Sequence, residues 1–467
     1  MKTAIIGASA DSVHAIEAAR ELGIKTVALD GDPKAEGLKN ADESMVVDIS
    51  DETAVLDALR GEHIDFVTTV PIGRYLTTIG AVNDAFHLPG ITRKSAELCT
   101  DKYEFHNALK AKGLRNSHCY MLNKDNLRPY YHIQYPAVLK PRFGSGSRAI
   151  YFIEDQNQLD EAINEIFCGK RPSGMFATGE CQDGQRGSCA FTSDENAKED
   201  KMTDSETDIG SSAARIDPRE MSARLKAAMS SHIEKNEKKE QQQPSDEDYV
   251  LEEAAPGQEY GIDGVVERYD FQMILLRRKI ITPLPAREAV GYISVVPDEE
   301  RELYTLMRDY ISRIVETLGL KDCLIHADVM YLRRKMHVIE LSARPSGHNL
   351  HNLFTPMATG VDMCREYLAY MSGKHHNFEP LQTRKMMIHY FDMGNCFVHW
   401  VPTRDSIRIP DNVKLLKWQC NIKTLDYLCP VTTGHSIMNR GYYILSGKKD
   451  VDLAEAAELI RNQFELS

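Results

Sequence analysis

A multidomain chain combining α/β and α+β parts is predicted from three observations. Strands and helices alternate over residues 1–95, the pattern of a parallel, Rossmann-like sheet. Further on, Leu324–Leu332 and Met336–Ser342 read as two strands of a hairpin around a short polar loop. The length of 467 residues allows about three domains at roughly 150 residues each. The expected division is a Rossmann-like N-terminal domain over 1–95, a central domain over 96–372 and a small β-rich C-terminal domain over 373–467.

In chain order, Thr3–Ile6 is a short apolar run that reads as a buried strand. Asp11–Leu22 places Val13, Ile16, Ala19 and Leu22 on one helical face. Lys25–Leu29 is a second strand, stopped by Asp30-Gly31-Asp32-Pro33. Asp51–Leu59 reads as a helix and Phe66–Val70 as a strand. Past residue 248, strands are expected at Tyr249–Glu253, Glu259–Val266 and Gln272–Ile281, and a long helix at Glu299–Leu318. A helix over Met363–Met371, strands at Met386–Phe391 and Gly441–Ser446, and a helix at Leu453–Phe464 complete the reading.

Residues of about 169–247 differ in composition. They are rich in Ser, Glu, Asp, Lys and Gln and poor in aromatics, and end in Glu237-Lys238-Lys239-Glu240-Gln241-Gln242-Gln243-Pro244. Such a segment buries too little apolar surface to offset its ordering entropy, so a low-complexity, disordered insertion is expected, with one helical pattern at Glu220–Lys238. The formal net charge of −13 argues against a surface devoted to nucleic acid or anionic membrane. The ten cysteines contain no Cys-x-x-Cys pair, which reads as reduced thiols in a cytoplasmic protein. The apolar stretch at Met1–Gly7 is too short for a secretory leader, and no run approaches the ~18 residues of a spanning helix.

Four segments carry candidate chemistry. Gly7-Ala8-Ser9-Ala10-Asp11-Ser12 stands where a dinucleotide fingerprint would, with Asp30 at ribose distance, but lacks the second and third glycines that let backbone approach a pyrophosphate. It reads as a plain βα turn or a substrate-side loop. Tyr135–Phe152 holds Lys140 at a strand end and the loop Gly144-Ser145-Gly146-Ser147-Arg148, whose glycines allow an anion nest and whose hydroxyls add donors; a hairpin with a flexible tip is the plainer alternative. Val250–Tyr260 ends an apolar strand in Glu252 and Glu253, crosses Pro256-Gly257 and reaches Glu259. Carboxylates there accept from adenine and ribose donors, or are simply strand-end acids.

The hairpin is the most informative segment. Centred on residue 334, it pairs residues whose numbers sum to 668: Asp328 with Glu340, His326 with Ser342 and Met330 with Val338, all on one side. Opposed like charges are destabilising unless a cation lies between them, and oxygen ligands with open positions suit Mg²⁺ shared with phosphates. A loop of three or five residues preserves this pairing, whereas a two-residue loop breaks it. Two residues at a time, the strand continues to Arg344, placed for bidentate contact with a phosphate or a carboxylate. His348 and His351 have the spacing of a metal pair but no third ligand nearby, so a substrate contact or a structural role is expected.

Taken in order, the lysine strand, the glycine loop, the acidic hinge and the Asp strand paired with Glu-x-x-x-Arg resemble the ATP-grasp superfamily, and within it the carboxylate–amine ligases. The resemblance covers about residues 96–372 without the insertion. It implies an ATP-grasp fold and an ADP-forming ligase that makes a carbon–nitrogen bond through an acylphosphate. An amino acid or small peptide is the implied substrate, with small-molecule partners and a homodimer. A bicarbonate-activating carboxylase or carbamoyl-phosphate-type enzyme is the alternative within the fold, and a non-catalytic nucleotide-binding regulator the alternative outside catalysis. Onto this sequence the resemblance carries ATP contacts at Lys102, Lys140, Ser145, Gly146, Ser147, Glu252, Glu253, Ala255 and Glu259. It carries metal ligands for Mg²⁺ or Mn²⁺ at Asp328, Glu340 and Ser342, the last where the family often has Asn. Arg344 and Lys140 become the catalytic cations. Arg277, Arg278 or Lys279 supplies a further phosphate contact, and Arg287, Glu288 and His348 stand on the substrate side.

Overall fold

The computed structural model describes residues 1–128, 132–144, 149–168, 247–284, 287–431 and 434–467. The expected insertion, its Glu220–Lys238 helix and the loop residues Ser145, Gly146 and Ser147 fall outside them. The N-terminal sheet consists of β1 (Lys2–Ile6), β2 (Lys25–Asp30), β3 (Glu43–Val46) and β4 (Phe66–Thr68), all parallel in the order β3-β2-β1-β4. Its central strands are apolar on both faces because helices cover both, as a parallel sheet requires. The Val13–Glu21 helix is clamped between this sheet and the Met363–Met371 helix: Ala15 and Ile16 pack with Cys364, and Ala18 and Ala19 with Phe66 and Leu368. Asp51 starts the Glu52–Leu59 helix by accepting from the Thr53 and Ala54 amides at 2.9 and 3.1 Å.

A second sheet is small and antiparallel, formed by β5 (Cys119–Leu122), β6 (Ala137–Pro141), β7 (Tyr151–Ile153) and β8 (Tyr249–Glu253) in the order β5-β8-β6-β7. The third sheet begins with β9 (Gln258–Glu267), β10 (Asp270–Ile281), β11 (Ala289–Ser294), β12 (Cys323–Leu332) and β13 (Lys335–Ser342). Across it lies the Arg301–Leu318 helix, which buries Leu303, Met307, Tyr310, Ile311, Ile314, Val315 and Leu318 along one stripe and stops at Gly319, whose φ is 64°.

The tail adds β14 (Met386–Tyr390), β15 (Cys396–Trp400), β16 (Lys414–Cys420), β17 (Tyr427–Leu428), β18 (Gly441–Ser446) and β19 (Glu465–Leu466). Of these, β14, β18 and β16 extend the third sheet to eight strands, β13-β12-β9-β10-β11-β14-β18-β16. Strands on both sides of residue 373 therefore share one sheet. The other three form a separate sheet, β17-β15-β19, packed beside the Asp450–Arg461 helix.

The hairpin register departs from simple symmetry in an instructive way. Asp328 pairs with Glu340 and His326 with Ser342, but Met330 pairs with His337 instead of Val338. The turn holds two residues, Arg333 and Arg334, with φ of 48° and 67°, the left-handed pair of a tight hairpin turn. Such a turn alone would move every pair by one position. A bulge, with Ile339 as the extra residue between the Asp328–Glu340 and Val329–Val338 pairs, restores the carboxylate pairing.

Candidate functional site

Lys140 and Glu252 lie on neighbouring strands, β6 and β8, and form a buried ion pair. The other Glu252 oxygen accepts from Arg115 Nη2 at 2.6 Å, and that guanidinium also meets His337 Nε2 at 2.8 Å. Burial alone would raise the Glu252 pKa; the charges of Arg115 and Lys140 outweigh it and hold the carboxyl well below its usual range. His337 is pushed down to about 3 by burial and by Arg115, so at neutral pH it is an uncharged acceptor. Glu252 is thus engaged from both sides by cations. Glu253 faces elsewhere, bound to His118 Nδ1 at 2.7 Å and to the Gln134 amide at 3.3 Å, and Ala255 follows in the connection to β9.

Lys102 is the first residue of a helix whose cap, Asp101, also holds Arg142 at 2.7 Å. Its Nζ donates to the Gly144 carbonyl at 3.0 Å. Burial and the neighbouring Lys140 push its pKa down to about 8, while Glu340 and Glu252 pull it upward. Lys102 therefore stands within reach of the charges of Lys140 and Glu252 on the small sheet and of Glu340 on the large one. Arg142 is anchored by Asp101 and Asp248, which pins the near end of the glycine loop.

On the large sheet the three consecutive cations take different partners, and Lys279 forms the ion pair with the hairpin acid Asp328. Its Nζ lies 2.8 Å from Glu259 and 2.6 Å from Asp328, and these carboxylates raise its pKa well above normal despite burial. Arg278 points away, to Glu300 at 2.9 Å and to Asp450. Arg277 is fully buried in a two-pronged pair with Asp263, whose carboxylate also accepts from the Ser346 and Thr355 hydroxyls, each at 3.0 Å. Sequence reasoning missed the roles of Asp263 and Arg115, because their partners are distant in sequence; for Asp263 the available signal was an acid inside an apolar strand, and for Arg115, in the connection before β5, there was none.

Arg344 is half-buried and, among the described residues, forms no salt bridge; it donates to the Pro345 carbonyl at 2.9 Å, and its buried Nε has no hydrogen-bond partner there. Burial lowers its pKa, opposed by the charges of Glu340, Asp328, Asp263 and Asp11. Gly73 of the N-terminal region packs against it: a Cβ there would stand 2.9 Å from Arg344 Nε and 3.6 Å from Ser342 Oγ. Of the substrate-side candidates, Arg287 reaches Glu259 at 3.5 Å and lies over the Phe152 ring. Glu288 is buried, its amide bound to Thr282 at 2.9 Å. The His348 carbonyl accepts from Tyr390 at 2.5 Å, whereas His351 is buried on the Ser346 carbonyl, so the two histidines do not form a pair.

The Gly7–Ser12 loop is tied by Asp30, which accepts from the Ala8 and Asp32 amides at 2.7 and 2.9 Å. Beside it opens a cavity of about 670 Å³ lined by Ser9, Ala10, Asp30, Lys34 and Lys39. The residues of the hairpin fit a divalent cation: Asp328 Oδ1 is buried without a hydrogen-bond partner, and Gly261 opposite leaves room, a Cβ there lying 3.6 Å from that oxygen. The trio His106, Cys119 and Glu252 is also close together, but Glu252 is already neutralised by Lys140 and Arg115. Among the described residues, no helix is long and apolar enough to cross a membrane, and the cysteines are free thiols.

No protein-family model matches the chain. An uncharacterised protein, y4rH, of Sinorhizobium fredii is 30% identical over 165 residues, covering 33% of this chain and 34% of that protein. A D-alanine–D-alanine ligase of Clostridium botulinum is 26% identical over 136 residues, 28% of this chain and 44% of the ligase. The chain thus matches between about a third and less than half of these curated relatives' length. Solved structures match it end to end. An L-amino acid ligase from Bacillus licheniformis superposes with a TM-score of 0.67 at 15% identity, covering 100% of this chain and 98% of that one. Phosphoribosylglycinamide synthetase from Anaerococcus prevotii gives 0.62 at 14%, covering 100% and 99%. The biotin carboxylase domain of Hydrogenobacter thermophilus 2-oxoglutarate carboxylase gives 0.57 at 13%, covering 100% and 90%. What these share with the chain is architecture: it has the ATP-grasp fold.

Proposed function

We propose that the chain is an ATP-dependent ligase that activates a carboxylate as an acylphosphate and joins it to an amine, with an amino acid or small peptide among its substrates. The observation that carries this reading is Arg344: a half-buried guanidinium with an enclosed Nε and no ion pair among the described residues, set beside Ser342 and close to Asp328 and Glu340. An anion receptor next to paired acids is the arrangement needed to bring a carboxylate to a metal-bound polyphosphate. Lys102 and Lys140 hold the phosphates from the opposite side, Glu259 takes the ribose, and Glu253 with the Ala255 backbone borders the base. Asp328, Glu340 and Ser342 would hold Mg²⁺, which would supply positive charge to offset that of the phosphates.

Arg344 holds the substrate carboxylate so that one of its oxygens faces the γ-phosphorus in line with the ADP leaving group. Attack gives the acylphosphate and ADP, with Lys140 and Arg344 offsetting the charge on the transferred group. The amine then attacks the acyl carbon, and phosphate leaves as the amide forms; the amine's proton passes to solvent or to phosphate. Arg287, Glu288 and His348 border the side from which the amine arrives. The Hydrogenobacter neighbour, described in complex with bicarbonate and as a dimer, supports keeping bicarbonate as the second acid and a homodimer as the assembly.

The test is an ADP- and phosphate-release screen over pairs of amino acids, small carboxylates and bicarbonate, with the product identified by mass. A product with a new amide supports the ligase; ADP release with bicarbonate alone moves the assignment to the carboxylase reading. Nucleotide binding without turnover on any acid would leave a nucleotide-binding regulator. Glu340→Gln, which removes one metal ligand, abolishes turnover on this reading.

A further inference from the structure

We propose that His326 is a nitrogen ligand of the divalent cation in this cleft, so that the site takes Mn²⁺ in preference to Mg²⁺. The inference rests on the reading of Asp328 and Glu340 as cation ligands and adds to it a residue and a selectivity. His326 and Asp328 are two positions apart on β12, so their side chains leave the same face, opposite Ser342 and Glu340 on β13.

The imidazole is fixed in orientation. His326 is 8% exposed, and its Nδ1 lies 3.2 Å from Asp263 Oδ1. Asp263 is held ionised by the two-pronged Arg277 contact and by two hydroxyls. An ionised carboxylate only accepts hydrogen bonds, so Nδ1 carries a proton and directs it at Asp263. Nε2 points the other way and lies 3.4 Å from Asp328 Oδ1. That oxygen is the one without a hydrogen-bond partner, while the other is taken by Lys279; Asp328 as a whole is 8% exposed.

A plainer account makes the His326 ring a bridge between two acids. Both acids already have their cation, however: Arg277 on Asp263 and Lys279 on Asp328. Nor does Nε2 form a hydrogen bond with Oδ1, from which it stands 3.4 Å away. Adjacent ligand atoms around a small six-coordinate cation with bonds near 2.1 Å are about 3 Å apart. The 3.4 Å separation of Nε2 and Oδ1 is close to this. A ring that ligates a metal through one nitrogen and gives its other N–H to a buried carboxylate is the usual supporting arrangement for histidine ligands. Here Asp263 is that carboxylate. Mg²⁺ favours an all-oxygen shell, whereas a first-row transition ion accepts imidazole beside carboxylates; Mn²⁺ does so while still suiting phosphate oxygens.

The experiment uses the full chain, Mn²⁺ alone as probe, and electron spin-echo envelope modulation. Bound Mn²⁺ is expected to show nitrogen modulation from one imidazole, which changes to the ¹⁵N pattern in wild-type protein grown with ¹⁵N-histidine. His326→Gln removes the modulation and weakens Mn²⁺ binding by about tenfold or more, with a much smaller effect on Mg²⁺. Mn²⁺ bound with oxygen ligands only, or a nitrogen signal that persists in His326→Gln, overturns the inference and leaves the ligase reading standing. Absence of Mn²⁺ and Mg²⁺ binding overturns the assignment of Asp328 and Glu340 as well. The isotope comparison needs no variant, so it decides the matter even if His326→Gln does not fold.

Discussion

Lys279 and Asp328 form a buried ion pair, Nζ to Oδ2 at 2.6 Å, across two strands that are not neighbours. Between β10 and β12 runs β9, and the residue of β9 that pairs with Asp328 is Gly261. A Cβ at 261 would lie 3.6 Å from both Asp328 Oδ1 and Lys279 Cε, so the missing side chain keeps the passage between the two charges open. The same ammonium reaches Glu259, and one cation thereby restrains two acids of the cleft.

Lys279→Met leaves those two acids without their shared cation. Removing one partner of a buried pair costs about 3–5 kcal/mol, and urea unfolding should show a loss of this order. Millimolar Mn²⁺ or Mg²⁺ should recover part of it in the variant, since the acids then gain a replacement charge. A variant as stable as the wild type, with or without metal, would remove Lys279 from this role.

Arg344→Ala should lower substrate-dependent ADP release by a factor on the order of 10²–10³, the usual effect of deleting a donor that faces developing charge. Calorimetric affinity for ATP should stay near the wild-type value, because the proposed nucleotide contacts are the lysines and Glu259. Equal losses in binding and turnover would place Arg344 among the nucleotide contacts instead.

Gly73→Ala tests whether the N-terminal region completes the site. Its Cβ would stand 2.9 Å from Arg344 Nε, closer than unstrained atoms approach, so the guanidinium must move. The expected result is a fall in kcat or a rise in KM for the carboxylate, with ATP affinity and thermal stability unchanged. Full activity would show that Arg344 has room to shift without consequence.

Two buried histidines and one half-buried one set a pH dependence. His337 is pushed down to about 3, and His106 and His351 to about 4, in each case chiefly by burial, with Arg115 adding repulsion for the first two. Their folded pKa values lie below the unfolded value of about 6.5, so below that pH the unfolded chain binds protons the folded one refuses. Stability should therefore fall as pH drops from about 6.5 toward 4, by up to about 1.4 kcal/mol per pH unit for each histidine. Denaturant titrations across this range measure it, and His351→Gln should flatten the slope. A stability that is level between these limits would contradict the buried, neutral state.

Local pattern carried much of the fold. Strands such as Lys25–Asp30 and Gly441–Ser446 and the Met363–Met371 helix are apolar runs or stripes bounded by turn residues, and periodicity finds them. The Asp328–Glu340 pairing was legible because a hairpin is local, yet its route was not: a two-residue turn and a bulge reach the register that a longer loop was expected to give. β16 (Lys414–Cys420) shows no clean alternation because it lies at the sheet edge, and it was not foreseen. The pairing of Arg115 with Glu252 and His337, and the seating of Gly73 on Arg344, join segments more than a hundred residues apart, and no local pattern encodes them.

The bulge at Ile339 also changes the parity of β13. On an unbroken strand, residues three apart emerge on opposite faces. Here His337 and Glu340 emerge on the same face, because their partners Met330 and Asp328 are two apart on β12. One strand can then present a neutral base toward Arg115 and an acid opposite Asp328, working as a single bracket along the cleft. Excising Ile339 would turn that bracket inside out, sending the tip or the acid end to the wrong side of the sheet while leaving the composition of the cleft almost untouched.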